Sequence, residues 1–434
     1  MRWSQGSVLV PLSCGLLAAI AVAWQTWPLL AVMAAVPFIL LGPVEFAFGL
    51  LALAVPFDTV TMLGRSSMTL SFLVSAVSGA VLLAKTLAGR RLARPPRAAL
   101  WFVLFSAWTA MSTWWAIDPA LSTQRLPGAV ALVALYLVAV SMVITRHEFR
   151  WITGAVVLGG TLAAMVSLYQ LAQGVNVAGR ASIVFGSLAT NPNELAASLI
   201  LPLALAIAGV LSTRGGTRTL LVVATGLMLL CTLLTMSRGG LAAIGVAAAV
   251  FLYRRGMDKR LLAVLVCAAL FLLIAPDLFK TRMEEALASR GQGRLDIWLV
   301  GVEVVKHNGL LGVGLDNFPL AFSRYAGYQA VFRSFSMAPH NIYLQALAET
   351  GVLGLLLLAA ALWAQTRELA AAKGASVMVV ACEAAAWGIM THAMVANLLW
   401  RKVFWFVWIV AAIAVQLARS EAVRVRAAER ASAA

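Results

Sequence analysis

Residues 194–212 read ELAASLILPLALAIAGVLS, and only the first of these residues, Glu194, carries a charge. A helix of about 20 apolar residues crosses the roughly 30 Å hydrocarbon core of a bilayer, and a backbone in lipid has to satisfy its hydrogen bonds within helices. Similar runs recur along almost the whole chain. The sequence therefore predicts an all-α fold, a polytopic transmembrane helical bundle.

The composition agrees with this prediction. The chain has 434 residues, of which 62% are hydrophobic and 12% charged, and its mean hydropathy of +0.92 lies far outside the range of water-soluble domains. The formal net charge of +16 would indicate nucleic-acid binding in a soluble protein. In a membrane protein, basic residues indicate first which loops face the cytoplasm. The positive charge therefore does not predict a nucleic-acid partner. All four cysteines lie in apolar runs and are interpreted as packing residues.

The apolar runs predict 12–14 spans. A run at 8–24 is interpreted as a retained first span because no convincing cleavage site follows it. The segment 28–57 is interrupted by Gly42-Pro43 and forms either two thin spans or one broken element. The remaining runs lie near 68–84, 98–116, 126–144, 151–172, 194–212, 219–236, 241–253, 261–275, 342–364, 376–397 and 403–418.

Arginine and lysine residues orient these spans. The basic segments fall on one side of the alternating spans, at 85–97, 146–150, 214–218, 254–260, 367–373 and from 419 onward. By the positive-inside rule this side is cytoplasmic. The protein is thus predicted to be a multi-pass protein of the bacterial inner membrane, with both termini cytoplasmic and its chemistry on the periplasmic side.

This topology divides the chain into four parts. They are an N-terminal transmembrane bundle, a large periplasmic loop, C-terminal transmembrane helices and a cytoplasmic basic tail, at 1–275, 276–341, 342–418 and 419–434. The loop is rich in aromatic residues and is predicted to be partly helical and to fold against the bundle. Its apolar residues at helical spacing are Leu295, Trp298, Val302 and Val305.

Several arginines lie on the outer side, against the usual charge bias. Arg180 stands in GRASIVFGSLATNPNELA, Arg238 in TMSRGG, and Arg290 and Arg294 in SRGQGRLDIW. Guanidinium groups bind phosphate with paired hydrogen bonds and stay charged at any relevant pH, so these residues indicate a phosphate-bearing ligand. The alternative is binding of lipid headgroups or pairing with acidic residues of the loop.

The segment PHNIYLQALAETGVLG, residues 339–354, enters a span from the long loop. We expect His340 in the first turn of that helix, where the helix dipole favours a neutral imidazole that can accept a proton. Alternatively, this is only a helix start, with Asn341 as its cap. In NPNE, Asn191 and Glu194 open another span, and capping is preferred over sugar binding for them.

The other histidines, His147, His307 and His392, are weaker candidates. An intramembrane pair of His392 with Glu383 could form a polar relay, but residues nine apart lie on opposite faces of a helix. Nothing in the sequence resembles a carboxylate metal cluster, a phosphate-binding P-loop or a serine-hydrolase elbow. No metal site and no cofactor are predicted.

Taken in order, the motifs are more specific than any one of them. An NPN segment at a span start, SRGG at a span end, RLDIW, HNGLLGVGLDNF and PHNIYLQALAETGVLG surround one large loop. This arrangement resembles the O-antigen ligase and polymerase superfamily over residues 180–355. The resemblance implies a GT-C-like membrane glycosyltransferase that takes a glycan from undecaprenyl diphosphate and needs neither a nucleotide sugar nor a metal ion.

Within that superfamily we expect the ligase, which joins O-antigen to the lipid A core oligosaccharide of lipopolysaccharide. The chain ends soon after its last span and lacks the C-terminal extension common in protein O-oligosaccharyltransferases. An O-antigen polymerase and a protein O-oligosaccharyltransferase stay open as alternatives. A lipid or solute transporter, or a scaffold protein, ranks below them.

The resemblance also implies roles for individual residues. His340 is expected to be the general base, and Arg238 and Arg294 are expected to hold the diphosphate in a single, inverting displacement. Arg180 is expected to help hold the diphosphate, and Arg290, Asn191, Asn341 and Tyr343 are expected to bind substrate. Membrane lipids are expected as further partners.

Overall fold

The structure is a computed structural model that describes residues 43–58, 70–256, 293–326, 337–372 and 376–433. The predicted spans at 8–24, 28–41 and 261–275 lie outside these residues, and so does Arg290. The described helices are α1 Val44–Ala54, α2 Leu70–Leu87, α3 Arg97–Met111, α4 Pro119–Val140, α5 Arg146–Ala172, α6 Pro192–Ser212, α7 Gly215–Leu234, α8 Arg238–Arg255, α9 Arg294–Asn308, α10 Phe318–Tyr325, α11 Ile342–Ala371, α12 Val377–Ala393 and α13 Lys402–Ala433.

Short irregular elements join these helices. The 3₁₀ turns Val55–Phe57 and Ser112–Trp114 extend α1 and α3, and strands β1 Val184–Phe185 and β2 Leu188–Ala189 form a two-stranded antiparallel hairpin. Every predicted run among the described residues is helical. The all-α prediction is therefore confirmed.

Six of the described helices are long and apolar enough to cross a membrane: α4, α5, α6, α7, α11 and α13. Shorter apolar helices lie at Val44–Phe57, Val77–Leu87 and Val377–Ala393. The chain is thus a multi-pass helical membrane protein, as predicted. The count of 12–14 spans stays a prediction because two of the hydrophobic regions lie outside the described residues.

Helix α6 contains the apolar run 194–212 with which the sequence analysis began, and it lies at the centre of the bundle. In its most apolar window 78% of the residues are buried, whereas the corresponding figure for α4 and α7 is 33%. Helices α5, α7 and α12 pack around α6, and α8 packs on α12. A helix that is apolar on all sides can be buried in this way, while α4 and α7 keep an apolar face that no described residue covers.

Helix α11 is broken at Gly351, whose φ of 71° and ψ of −173° are not helical. The break leaves carbonyl groups without helical partners, and neighbouring segments supply the donors. Backbone N–H groups of Val313 and Gly314 donate to the carbonyls of Ala348 and Glu349, both at 2.9 Å. Trp108 of α3 donates its indole N–H to Thr350 O at 2.7 Å. We call these contacts between residues 309–314 and 348–352 the backbone interlock.

Glycines permit this close approach. A Cβ on Gly312 would overlap the carbonyl of Glu349, and one on Gly351 would overlap the carbonyl oxygen of Leu310. Both residues also have a positive φ that L side chains rarely adopt. The glycines of HNGLLGVGLDNF and ETGVLG therefore belong to one contact, which fixes the long loop on α11.

Helix α9 lies where a loop helix was predicted. Ile297, Val300 and Val304 are buried against Phe318, Phe322 and Ala348. Of the four apolar residues noted at helical spacing, Trp298 and Val305 pack against this cluster, whereas Leu295 and Val302 are 50% and 45% exposed, because α9 carries apolar residues on two faces. Spacing alone does not tell which face meets the packed side of the loop.

The predicted basic tail continues the last span as helix. Helix α13 runs without a break to Ala433, and Glu421 pairs with Arg146 at the start of α5. The division of the chain into four parts stays a prediction.

Replacing Gly351 by alanine is expected to destabilise the protein by more than about 2 kcal/mol, because the new Cβ meets backbone in a left-handed conformation. The matched control is Gly226→Ala in α7, where a Cβ would meet nothing within 4 Å. Thermal unfolding in detergent measures both. Equal unfolding midpoints for the two variants would show that a side chain at position 351 does not strain the interlock.

Candidate functional site

Contacts of α9 place Arg294 near His340. Trp298 donates its indole N–H to the carbonyl of Pro339 at 3.1 Å, and Arg294 lies one helical turn before Trp298 on the same face. Further along this face, a Cβ on Gly301 would lie only 2.7 Å from Cδ2 of Leu344. This face of α9 therefore lies along residues 339–344.

His340 precedes the helix rather than lying in its first turn, so that expectation was wrong. Asn341 is the N-cap of α11, and its side chain accepts from the N–H groups of Tyr343 and Leu344 at 2.9 and 3.1 Å. His340 has a φ of 47°, which is uncommon for a residue other than glycine. Its backbone N–H donates to Oδ1 of Asn397 at 2.6 Å, and this bond supports the turn.

Asn397 also determines which ring nitrogen of His340 carries the proton. Its Oδ1 accepts from the backbone of His340, so its Nδ2 faces Nδ1 of the same residue at 3.3 Å. An amide nitrogen can only donate, and Nδ1 therefore has to accept. In the neutral ring the proton then lies on Nε2, and the lone pair on Nδ1 points to Asn397.

Electrostatics couple His340 to Arg294, and Arg294 to Arg238. Burial lowers the pKa of His340, and the positive charge of Arg294 lowers this pKa further. The pKa of Arg294 is itself lowered, first by burial and then by Arg238. The structure thus brings together the three residues predicted to be catalytic. The neutral imidazole follows from burial and a neighbouring cation, not from the helix dipole assumed from the sequence.

Arg238 is the first residue of α8. A turn with Met236 at a φ of 49° precedes it, and Ser237 caps the helix by accepting from Gly240 N at 3.2 Å. Among the described residues, no carboxylate pairs with the guanidinium of Arg238 or of Arg294. Two nearby guanidinium groups without such a partner, one of them half-buried, form a site suited to an anion.

His392 lies behind this site rather than in a relay with Glu383. Its ring is fully buried, and a Cβ on Gly239 would lie 3.2 Å from its Nδ1. Glu383 instead pairs with Nε of Arg254 at 2.9 Å. The ring of His392 therefore supports the backbone next to Arg238.

Arg180 holds two segments together near the site. Its Nε donates to Thr235 O at 2.7 Å, and one terminal nitrogen donates to Oδ1 of Asn193 at 3.1 Å. The guanidinium thus joins the end of α7 to the start of α6. Part of its hydrogen-bonding capacity is used inside the protein, and its predicted role in binding phosphate stays a prediction.

Two other residues that were predicted to bind substrate make hydrogen bonds within the protein. Asn191 caps α6 by accepting from the backbone N–H of Asn193 at 2.9 Å, which confirms the preferred capping interpretation. Tyr343 donates its hydroxyl to the carbonyl of Met390 at 3.2 Å and joins α11 to α12. Their predicted contacts to substrates stay predictions.

A cavity of about 720 Å³ lies beside the turn that carries His340, with Pro339 and Asn397 in its wall. Apolar residues of α2 and α4, among them Leu83, Leu132 and Leu135, form its other wall. Charged residues also line it: Arg125, which pairs with Asp316, Lys402, which pairs with Asp58, Arg401 and Glu349. The cavity therefore combines an apolar wall with a charged part, as an amphipathic lipid requires.

Within the described residues, no three histidine, cysteine, aspartate or glutamate side chains converge to hold a metal ion.

Residues 223–359 match the family model described as O-antigen ligase, over about a third of the chain. This match supports the resemblance of the chain to the O-antigen ligase/polymerase superfamily. A search of curated proteins finds no match. The proteins of that superfamily are glycosyltransferase-like membrane enzymes that act on lipid-linked glycans.

The match to this superfamily includes Arg238, Arg294 and His340, but Asn397 lies beyond its end. Sequence reasoning missed Asn397 because it looks like an ordinary polar residue at the end of an apolar run. Its position 57 residues after His340 in the chain carries no signal of contact. Trp298 was noticed only as an aromatic residue of the loop, and its hydrogen bond to Pro339 is a tertiary feature.

Removing the charge of Arg294 is expected to raise the pKa of His340, because a neighbouring cation disfavours the protonated ring. The measurement is an NMR pH titration of histidine-labelled protein in detergent, with the His340 signal assigned by its loss in His340→Gln. Arg125→Gln is the control, since Arg125 pairs with Asp316. An unchanged midpoint in Arg294→Gln would contradict the coupling.

Proposed function

We propose that this protein is an O-antigen ligase, which transfers O-antigen glycan from undecaprenyl diphosphate to the lipid A core oligosaccharide in lipopolysaccharide biosynthesis. The observation that carries the proposal is the placement of Arg238 and Arg294, without described carboxylate partners, next to a neutral His340. The reaction needs an anion site for the leaving group and a proton acceptor beside it. These three residues supply both.

Arg238 and Arg294 hold the diphosphate of the donor. Guanidinium groups pair with phosphate oxygens through two parallel hydrogen bonds, and their mutual repulsion falls when an anion lies between them. As the glycosidic bond breaks, negative charge grows on the diphosphate oxygen that leaves. The two fixed positive charges stabilise this charge without further rearrangement.

His340 activates the acceptor. The oxygen of the acceptor hydroxyl attacks the anomeric carbon, its proton passes to Nδ1 of His340, and the bond to the diphosphate breaks with its electron pair leaving on oxygen. Attack opposite the leaving group inverts the anomeric centre. The proton goes to Nδ1, the ring nitrogen that carries the lone pair, and the acceptor hydroxyl takes the place of the 3.3 Å hydrogen bond that Asn397 Nδ2 donates to this atom. These steps use no metal ion.

The large cavity supports a lipid acceptor. Its apolar wall fits acyl chains. Asn397 lies in the cavity wall and contacts His340, so the cavity adjoins the residue that we propose as the base.

The match to the family described as O-antigen ligase supports a reaction that transfers O-antigen glycan. The positive-inside rule supports an inner-membrane protein with cytoplasmic termini and a periplasmic site. Arginines concentrated at helix ends, rather than at the bilayer midplane, argue against a transporter.

Purified protein in liposomes is expected to join undecaprenyl diphosphate-linked O-antigen to the lipid A core, with chelator present and no nucleotide. Glycan-bearing lipopolysaccharide on a gel is the readout. His340→Ala is expected to reduce the rate by about 10²- to 10⁴-fold, because it removes a general base.

Longer carrier-linked glycan would instead indicate the polymerase, and transfer to a protein would indicate a protein O-oligosaccharyltransferase. No product from verified substrates would contradict a transferase. Near-normal transfer by inserted His340→Ala protein would rule out His340 as the base.

Replacing Asn397 by aspartate is expected to move the ring proton of His340 from Nε2 to Nδ1. The carboxylate still accepts from the backbone N–H, but its second oxygen now accepts from Nδ1–H. The ¹⁵N chemical shifts of His340 report the protonated nitrogen, and transfer is expected to fall with the change. Asn341→Asp, which adds the same charge one residue away and keeps a good N-cap, is expected to retain the original tautomer.

A role for Asn397 limited to supporting the turn predicts something different. The Asn397→Asp change would then leave both the tautomer and the transfer rate unchanged, since the bond to the backbone persists. This outcome would show that Asn397 does not fix the tautomer of His340, and it would leave the arginine site untouched.

A further inference from the structure

A second cavity, of about 680 Å³, lies at the other end of α3 and α11 from His340. Its wall includes Arg97 at the start of α3 and Arg367 near the end of α11. Arg367 follows Ile342 by about 25 residues, which corresponds to roughly 35 Å of helix. This basic cavity therefore faces the opposite side of the bundle and is separate from the transfer site.

Four arginines and one glutamate line the basic cavity: Arg94, Arg97, Arg367, Arg419 and Glu368. Glu368 is already engaged, because one of its oxygens pairs with Arg419 at 3.1 Å and the other accepts from the backbone N–H of Arg97 at 3.0 Å. Among the described residues, no acidic side chain pairs with the guanidinium groups of Arg94, Arg97 or Arg367. The cavity therefore carries a net positive charge.

Two tryptophans give the basic cavity an apolar side. Trp101 on α3 and Trp363 on α11 are 37% and 63% exposed, and both line the cavity. Exposed tryptophan is typical of the level of the lipid headgroups, where the ring contacts both glycerol and acyl chains. Arginines beside exposed indoles at helix ends match the phosphate and glycerol of a lipid better than they match a soluble anion.

We propose that the basic cavity binds the headgroup phosphate of an anionic glycerophospholipid. Arg94 and Arg367 contact the phosphate, and Trp101 and Trp363 lie against the glycerol and the first acyl carbons. Because the cavity is built from α3, α11 and α13, a bound lipid joins their ends on this side. The site needs no assumption about the reaction at His340.

The test is native mass spectrometry of the full chain in detergent with added phosphatidylglycerol, compared with phosphatidylcholine. Phosphatidylglycerol is expected to bind and to raise the thermal midpoint. In Arg94→Gln/Arg367→Gln the binding is expected to weaken at least about tenfold, since charge-assisted hydrogen bonds are lost. The matched control, Arg150→Gln/Arg214→Gln, removes two exposed arginines on the same predicted side outside the cavity and is expected to bind as the natural protein does.

Both arginines of the test pair are exposed, so the variant is expected to keep the thermal midpoint of the natural protein without lipid. If it does not fold, Arg94→Lys/Arg367→Lys serves in its place and is expected to weaken binding by losing the paired geometry. Three results would overturn the proposal: unchanged binding in the test variant, equal binding of phosphatidylcholine, or displacement of the lipid by inorganic phosphate, which would indicate a free-anion site.

Discussion

The break in α11 at Gly351 is the constraint on which the rest of the structure depends. A carbonyl group in a membrane protein has no water to replace a lost helical partner, so each freed group has to be satisfied by protein. Residues 309–314 and Trp108 supply these donors. The same contacts fix the long loop on the bundle, and the loop helix α9 then meets the turn that carries His340.

The site places like charges close together, which costs stability. Arg294 is half-buried and is repelled by Arg238, and the uncommon φ of His340 adds strain. These costs are offset by rigid supports: the bond from Trp298 to Pro339, the cap at Asn341 and the paired contacts of Asn397. Preorganised positive charge with no carboxylate partner among the described residues suits the diphosphate leaving group of the proposed reaction.

Arginines serve different purposes in different parts of this protein. Arg180 and Arg254 satisfy carbonyl groups at helix ends and join neighbouring segments. Arg238 and Arg294 have no described acidic partner at one end of the bundle, and Arg94 and Arg367 have none at the other. These arginines differ in their surroundings. Those that donate to carbonyl oxygens or pair with carboxylates have a structural role, and those without such partners among the described residues are available to a ligand.

The sequence by itself determined the helical membrane fold, the start and end of most helices and the three residues that converge at the site. Apolar runs and caps are local signals, because helix formation and transfer into lipid act on neighbouring residues. The motifs that resemble the superfamily predicted the three site residues. The buried face of α9, however, could not be read from spacing, since its apolar residues lie on two sides. Only the tertiary structure decided how the motifs meet: it placed His340 before its helix, assigned Asn397 to its ring and showed that two glycine-rich motifs form one contact across α11. These features depend on hydrogen bonds and close approaches between residues far apart in the chain. A local sequence pattern holds no information about such partners, because they are selected by packing of the whole bundle.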